Sequence, residues 1–157
     1  MPMTVDERSA MATIAQNAMP TIEEMFHLYA RKAAAPERFA IGVYDATGTG
    51  ASYADEGGPV AQRVIAEFKI GEGAWGERDY LATARGKVGV ALRTGRNSGD
   101  VARNAPELFL EGEPHFPGAV LGEAGGKPVA IGTSGLRGTE DEPLALLFLE
   151  LMKRLSA

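Results

Sequence analysis

Apolar residues recur at helical spacing in several stretches and alternate or run together in shorter ones between them, which predicts a mixed α and β chain. Thr4-Val5-Asp6-Glu7 has a capping-box pattern, and Met11, Ile14, Ala15 and Ala18 follow it at helical spacing, so a first helix is expected to about Ala18. Met19-Pro20 interrupts this pattern. Thr21-Ile22-Glu23-Glu24 then repeats the cap before a stripe at Ile22, Met25, Phe26, Tyr29 and Ala33, a second segment ending before Pro36. Two separate helices and one kinked helix both satisfy the pattern.

Phe39 to Asp45 is short, apolar and β-rich, and the glycine-containing turn at 46–50 leads into 51–54, so a strand and a hairpin are predicted there. After the breaker at 55–59, Val64, Ala66, Phe68 and Ile70 alternate as in a strand, while Val60, Val64 and Phe68 also suit a helix; we favour the strand. From Glu77 to about Thr94, Leu81, Ala84, Val88, Ala91 and Leu92 mark a helix face that Gly86 and Gly89 keep thin. Each of those glycines costs roughly 1 kcal/mol of helix propensity, so close packing on a sheet or a second subunit should repay it. Asp100 is expected to cap a short helix through Leu108.

The last third carries the clearest signals. Gly125-Gly126 separates two apolar runs and supplies the positive φ of a two-residue hairpin turn. Gly132 and Gly135 bracket Thr133-Ser134 in what reads as a bare turn able to approach a neighbour closely. A helix follows, with Thr139 and Glu142 as its capping box, Lys153-Arg154 at its negative end, and a core face of Leu144, Leu147, Phe148, Leu151 and Leu155.

Composition narrows the function. At 157 residues and 45% apolar content, one domain can bury a core without staples. A formal net charge of -5 argues against nucleic acid or an acidic membrane as principal partner. There is no cysteine, which excludes disulfides and thiolate chemistry. The charged start lacks a signal-peptide core and no window approaches ~20 apolar residues, so a cytoplasmic location is the expectation.

Taken together, Lys87-Val88-Gly89-Val90-Ala91, then Phe116-Pro117-Gly118-Ala119-Val120, then Ala130-Ile131-Gly132-Thr133-Ser134-Gly135 and Gly138-Thr139-Glu140-Asp141-Glu142 resemble a known family. It is the haem-degrading and haem-binding domain family of GlcG, HbpS and the PduO C-terminal domain, domain of unknown function 336. The resemblance implies an α+β, profilin-like single domain: a roughly five-stranded antiparallel sheet with helices packed on it, spanning 21–157, with 1–20 as an N-terminal helical extension. It also implies homo-oligomers and a small-molecule ligand, haem among the candidates. The family's lysine and final alanine are kept at Lys87 and Ala91, whereas its threonine is lost, its Asp-Gly hairpin turn becomes Ala124-Gly125, and its Arg-Met-Asp-Gly-Ala stretch gives way to the longer 55–75 region.

Candidate sites follow. His27 and His115 are the two imidazoles, and His27, on the helix before the first strand, occupies a stretch comparable to that of a haem-ligating histidine in some members. Glu23, Glu24 and Arg31 are its helical neighbours, so a solvated charged face explains it equally. Lys87, Arg93 and Arg96, with Arg85, cluster around one helix and its end and could hold a carboxylate or propionate; pairing with acidic neighbours is the plain alternative. Thr133 and Ser134 complete the expected pocket edge, although Ser134 lacks the strand-elbow motif of a nucleophile. Trp75 could line a pocket, an interface or the core. Histidine and carboxylate spacing gives no zinc motif, and no phosphate-binding or dinucleotide motif is present. Three readings compete: a small-ligand binder, haem first; an enzyme acting on small organic acids by hydrolysis or proton transfer; and an assembly protein with no ligand.

Overall fold

The computed structural model describes residues 1–33, 38–50, 58–71, 79–136 and 138–157. Helix α1 spans Val5–Ala33 and strand β1 Phe39–Asp45. A 3-10 turn at Val60–Gln62 leads into β2, Val64–Ile70. Helix α2 is Tyr80–Thr94 and α3 is Ser98–Asn104, followed by a 3-10 turn at Pro106–Leu108. Strands β3, Ala119–Ala124, and β4, Lys127–Ser134, precede α4, Gly138–Leu155.

The class is α+β as expected, with four strands among the described residues in the antiparallel order β2-β1-β4-β3, one fewer than the resemblance implied. The β1 strand pairs with β2 on one side and β4 on the other. The predicted strand at 51–54, together with Trp75, lies outside the described residues.

Alternation along the strands sorts the core into two layers. Phe39, Ile41, Val43, Val129 and Ile131 point to one face, where α1 and α4 cover them with Ile22, Phe26, Phe148 and Met152. Tyr44, Ala119 and Ala130 point to the other face, against Val88, Ala91 and Leu92 of α2. Two helices on one side and one on the other thus enclose the sheet.

Helix α1 runs unbroken through Pro20, which sits exposed. An internal proline costs ~3 kcal/mol. The continuous buried face of Met11, Ala15, Ala18, Met19, Ile22, Phe26 and Ala30 outweighs it, and no second cap forms at Thr21. The start of α2 is set by Asp79, whose carboxylate accepts the Ala82 amide at 3.0 Å; Glu77, the expected start, lies outside the described residues. Asp100 does not cap the short helix: Asn97 holds the N-cap position, the α-helix ends at Asn104, and the Asp100 carboxylate accepts from Arg96 and Asn104 instead.

The hairpin reading holds, with Gly125 and Gly126 at φ 58° and 75° joining Ala124 to Lys127. The expected bare turn at 132–135 is corrected: Gly132, Thr133 and Ser134 stay in β4 paired with β1, and only Gly135, at φ 135°, leaves the strand. At α4 the Thr139 side chain of the expected capping box lies outside the described ones; Glu142 pairs with Arg103 of α3.

Candidate functional site

The predicted site residues separate into distinct settings. Lys87, on α2, is buried, and its ammonium donates to Thr133 O at 2.9 Å and to Asp141 Oδ2 at 3.0 Å. The Thr133 hydroxyl lies 2.8 Å from Gly118 O and 3.0 Å from Asp141 O, so its proton is shared between two carbonyls. The second Asp141 oxygen accepts the Leu136 amide at 2.9 Å. A side chain at Gly118 would meet the Lys87 ammonium at 2.8 Å, so the missing Cβ is what lets the lysine pass the end of β3. Burial pushes the Asp141 carboxyl above its ordinary value against the pull of Lys87. This cluster ties α2 on one face of the sheet to α4 on the other. A ligand would reach Lys87 or Thr133 only after the ion pair opened.

Ser134 is buried on the α2 side of β4, opposite Ala40. Arg93 forks onto Glu113 at 3.2 and 2.6 Å and also donates to Leu108 O at 2.8 Å. Arg96 bonds Asp100 at 2.6 Å. Each of these cations therefore holds a carboxylate of this chain. Arg85 does the same: it forks onto Glu67 of β2 at 2.7 and 2.5 Å, and the buried Tyr44 hydroxyl donates to the same carboxylate at 2.9 Å. Burial raises the Glu67 carboxyl, but the Arg85 fork and the Tyr44 hydroxyl outweigh it and leave it below its ordinary value. Burial, then the Glu67 charge, push the Tyr44 phenol up.

His27 stands on α1, which packs on the opposite face of the sheet from α2, the helix that carries Lys87. The His27 side chain is 35% exposed, its Nε2 lies 3.7 Å from the Glu23 carboxylate, and its ring touches Phe26 at 5.5 Å between centroids. The surrounding ridge carries Glu23, Glu24 and Arg31. The exposed His115 ring stacks on Phe109, with exposed Phe116 next to it in the chain and Glu107 and Glu111 exposed on the same loop.

Two open clefts lie elsewhere. One of about 670 Å³ is lined by the β3–β4 turn and the end of α4, and one of about 490 Å³ by the first residues, 46–49 and the start of β4. Neither is lined by a predicted site residue. Beside the second, Asp45 accepts the Met3 amide at 2.7 Å and the Thr47 hydroxyl at 2.6 Å. Arg63, wholly buried, donates to the carbonyls of Asp45, Thr47 and Gly58 at 2.7–2.9 Å. Sequence reasoning missed Arg63, because an arginine inside a short alternating run carries no local signal of burial.

No protein-family model and no curated protein sequence matches the chain. Solved structures do. HbpS of Streptomyces reticuli is similar with a TM-score of 0.58 at 20% identity, over 97% of this chain and 88% of that one. A Klebsiella pneumoniae protein, ORFY, of family DUF336, is similar with a TM-score of 0.60 at 14% identity, over 90% and 88%. A complex of PduOC with haem is similar with a TM-score of 0.52 at 14% identity, over 86% and 91%. The chain has the fold of HbpS, ORFY and PduOC, the fold that its motifs at Lys87, Gly118 and Gly132–Gly135 implied.

Proposed function

We propose that this chain is a homo-oligomeric small-ligand-binding protein whose ligand is haem, with one of its two imidazoles, His27 or His115, as the axial ligand to iron. The observation that carries the reading is that both histidines reach solvent, His27 in part and His115 as an exposed residue, in a fold that one solved neighbour displays in complex with haem. Haem supplies the iron and the planar apolar surface, and the chain supplies a nitrogen donor and apolar contacts.

The organic-acid enzyme reading has less support, since Lys87, Arg93 and Arg96 each grip an internal carboxylate. Adding hemin to the purified protein and recording the absorbance spectrum tests the proposal. A shifted, saturable Soret band is expected, and an unshifted free-hemin spectrum at excess protein rejects it.

A further inference from the structure

The connection between α3 and β3 is where the structure holds more than turn chemistry. Glu113 folds back on Leu110, its carboxylate accepting the Leu110 amide at 2.6 Å while its own amide donates to Leu110 O at 3.1 Å. Arg93 forks onto the same carboxylate and caps Leu108 O, pinning the segment to α2. Pro114 lies in the gap left by Gly86, where a Cβ would come within 2.7 Å of its ring. The loop is thus anchored at three points to one helix.

Held this way, it presents an unusual surface. The rings of Phe109 and His115 stack at 4.3 Å between centroids and 16° between planes. Leu108, Leu110 and Phe116, on the same loop, are 37%, 54% and 57% exposed. Scattered exposed apolar residues need no explanation, but three on one anchored loop, alongside an exposed imidazole and the exposed Glu107 and Glu111, mark a candidate binding surface. Stacking occupies a face of the imidazole and leaves its edge nitrogens available, so the Phe109 contact orients the donor without consuming it.

We propose that this loop is a platform for a planar metalloporphyrin, with a His115 ring nitrogen as axial ligand and Leu108, Leu110 and Phe116 as the apolar contacts. The inference rests on the haem reading above and assigns its site. Arg93, Glu113 and Pro114 act as positioning residues, since an anchored loop gives up less conformational freedom when a ligand settles on it.

Parallel hemin titrations of the full chain, His27→Ala, His115→Ala and Phe116→Ser, followed by absorbance, separate the possibilities. The expected result is that His115→Ala loses the wild-type Soret position and binds hemin at least about tenfold more weakly, an iron ligand mattering no less than the residues that support one. Added imidazole then restores the Soret position in that variant. Phe116→Ser keeps the Soret position and weakens binding, while His27→Ala matches the wild type.

A wild-type Soret position and affinity in His115→Ala overturn the site while leaving haem binding intact, and failure of imidazole to restore a lost band overturns it as well. A wild type that leaves the free-hemin spectrum unchanged overturns the haem reading itself. If Phe116→Ser changes the mass by light scattering and leaves hemin binding untouched, the patch serves self-association and the platform is rejected.

Discussion

Lys87 shows how little a residue's identity says about its job. The motif singles it out and its charge invites a ligand carboxylate, yet the carboxylate it meets belongs to Asp141, 54 residues away on α4. Both groups are buried, so their attraction is set largely against lost hydration, and the pair is a poor source of stability but a severe loss when halved. Lys87→Met, which leaves Asp141 buried without its cation, should cost about 3–5 kcal/mol in urea melts. The double variant Lys87→Met/Asp141→Leu should recover most of that loss. A single-variant cost under about 1 kcal/mol would mean the pair is solvated rather than buried.

At the scale of elements, glycines decide how closely the layers approach. Gly132 faces α2, where a Cβ would stand 2.6 Å from Val88 Cγ2 and 2.8 Å from the Ala84 carbonyl oxygen. Backbone cannot swing aside as a side chain can, so Gly132→Ala should force α2 off β4 and lower stability by about 1–3 kcal/mol. Gly89 is the contrast: its nearest neighbour, Val60 Cγ2, lies 3.7 Å from the added atom. Gly89→Ala should therefore gain about 0.5–1 kcal/mol from helix propensity with no clash. Thermal melts of the two variants should move in opposite directions, and movement in the same direction would refute the packing argument.

The sequence shows that Gly86 and Gly89 need a reason. Pro114 of the 105–118 loop supplies it for Gly86, and Gly89 has none so strong. Elements with full periodicity were legible: β1, α2, the β3–β4 hairpin and α4 all appear near their predicted places. The boundary shifted where tertiary burial outweighed a local breaker, as when α1 passed through Pro20 to keep its buried face continuous.

For the molecule as a whole, the carboxylates at the sheet edge and at the end of β1 contribute to the response to acid. Burial raises both Glu67 and Asp45, yet hydrogen bonds and cations leave both below their ordinary values: Arg85 and Tyr44 act on Glu67, Thr47, Met3 and Arg8 on Asp45. With the folded value depressed, the unfolded chain binds more protons. Their stabilising effect is full above the ordinary carboxyl values of 4.5 and 3.8 and is lost as pH falls through the folded ones. Glu67→Gln should lower stability at pH 7 by roughly 1 kcal/mol, the Arg85 side chain being 37% exposed. The gap to wild type in urea midpoints should close below pH 4, and a gap that widened on acidification would reverse the sign of the argument. Among the described residues no helix is long and apolar enough to cross a membrane.

Periodicity, glycine turns and motif spacing by themselves determined the class of fold, the principal elements and the family likeness, because each depends on neighbours within a few residues. Which charges meet was decided only in three dimensions. The two faces of the sheet took α1 and α2 on opposite sides, Lys87 crossed to Asp141 of α4, and the loop anchored by Arg93 and Pro114 brought His115 onto Phe109. Those encounters join residues far apart in the chain, and a carboxylate that satisfies a cation from across the fold leaves no trace in the local pattern on either side.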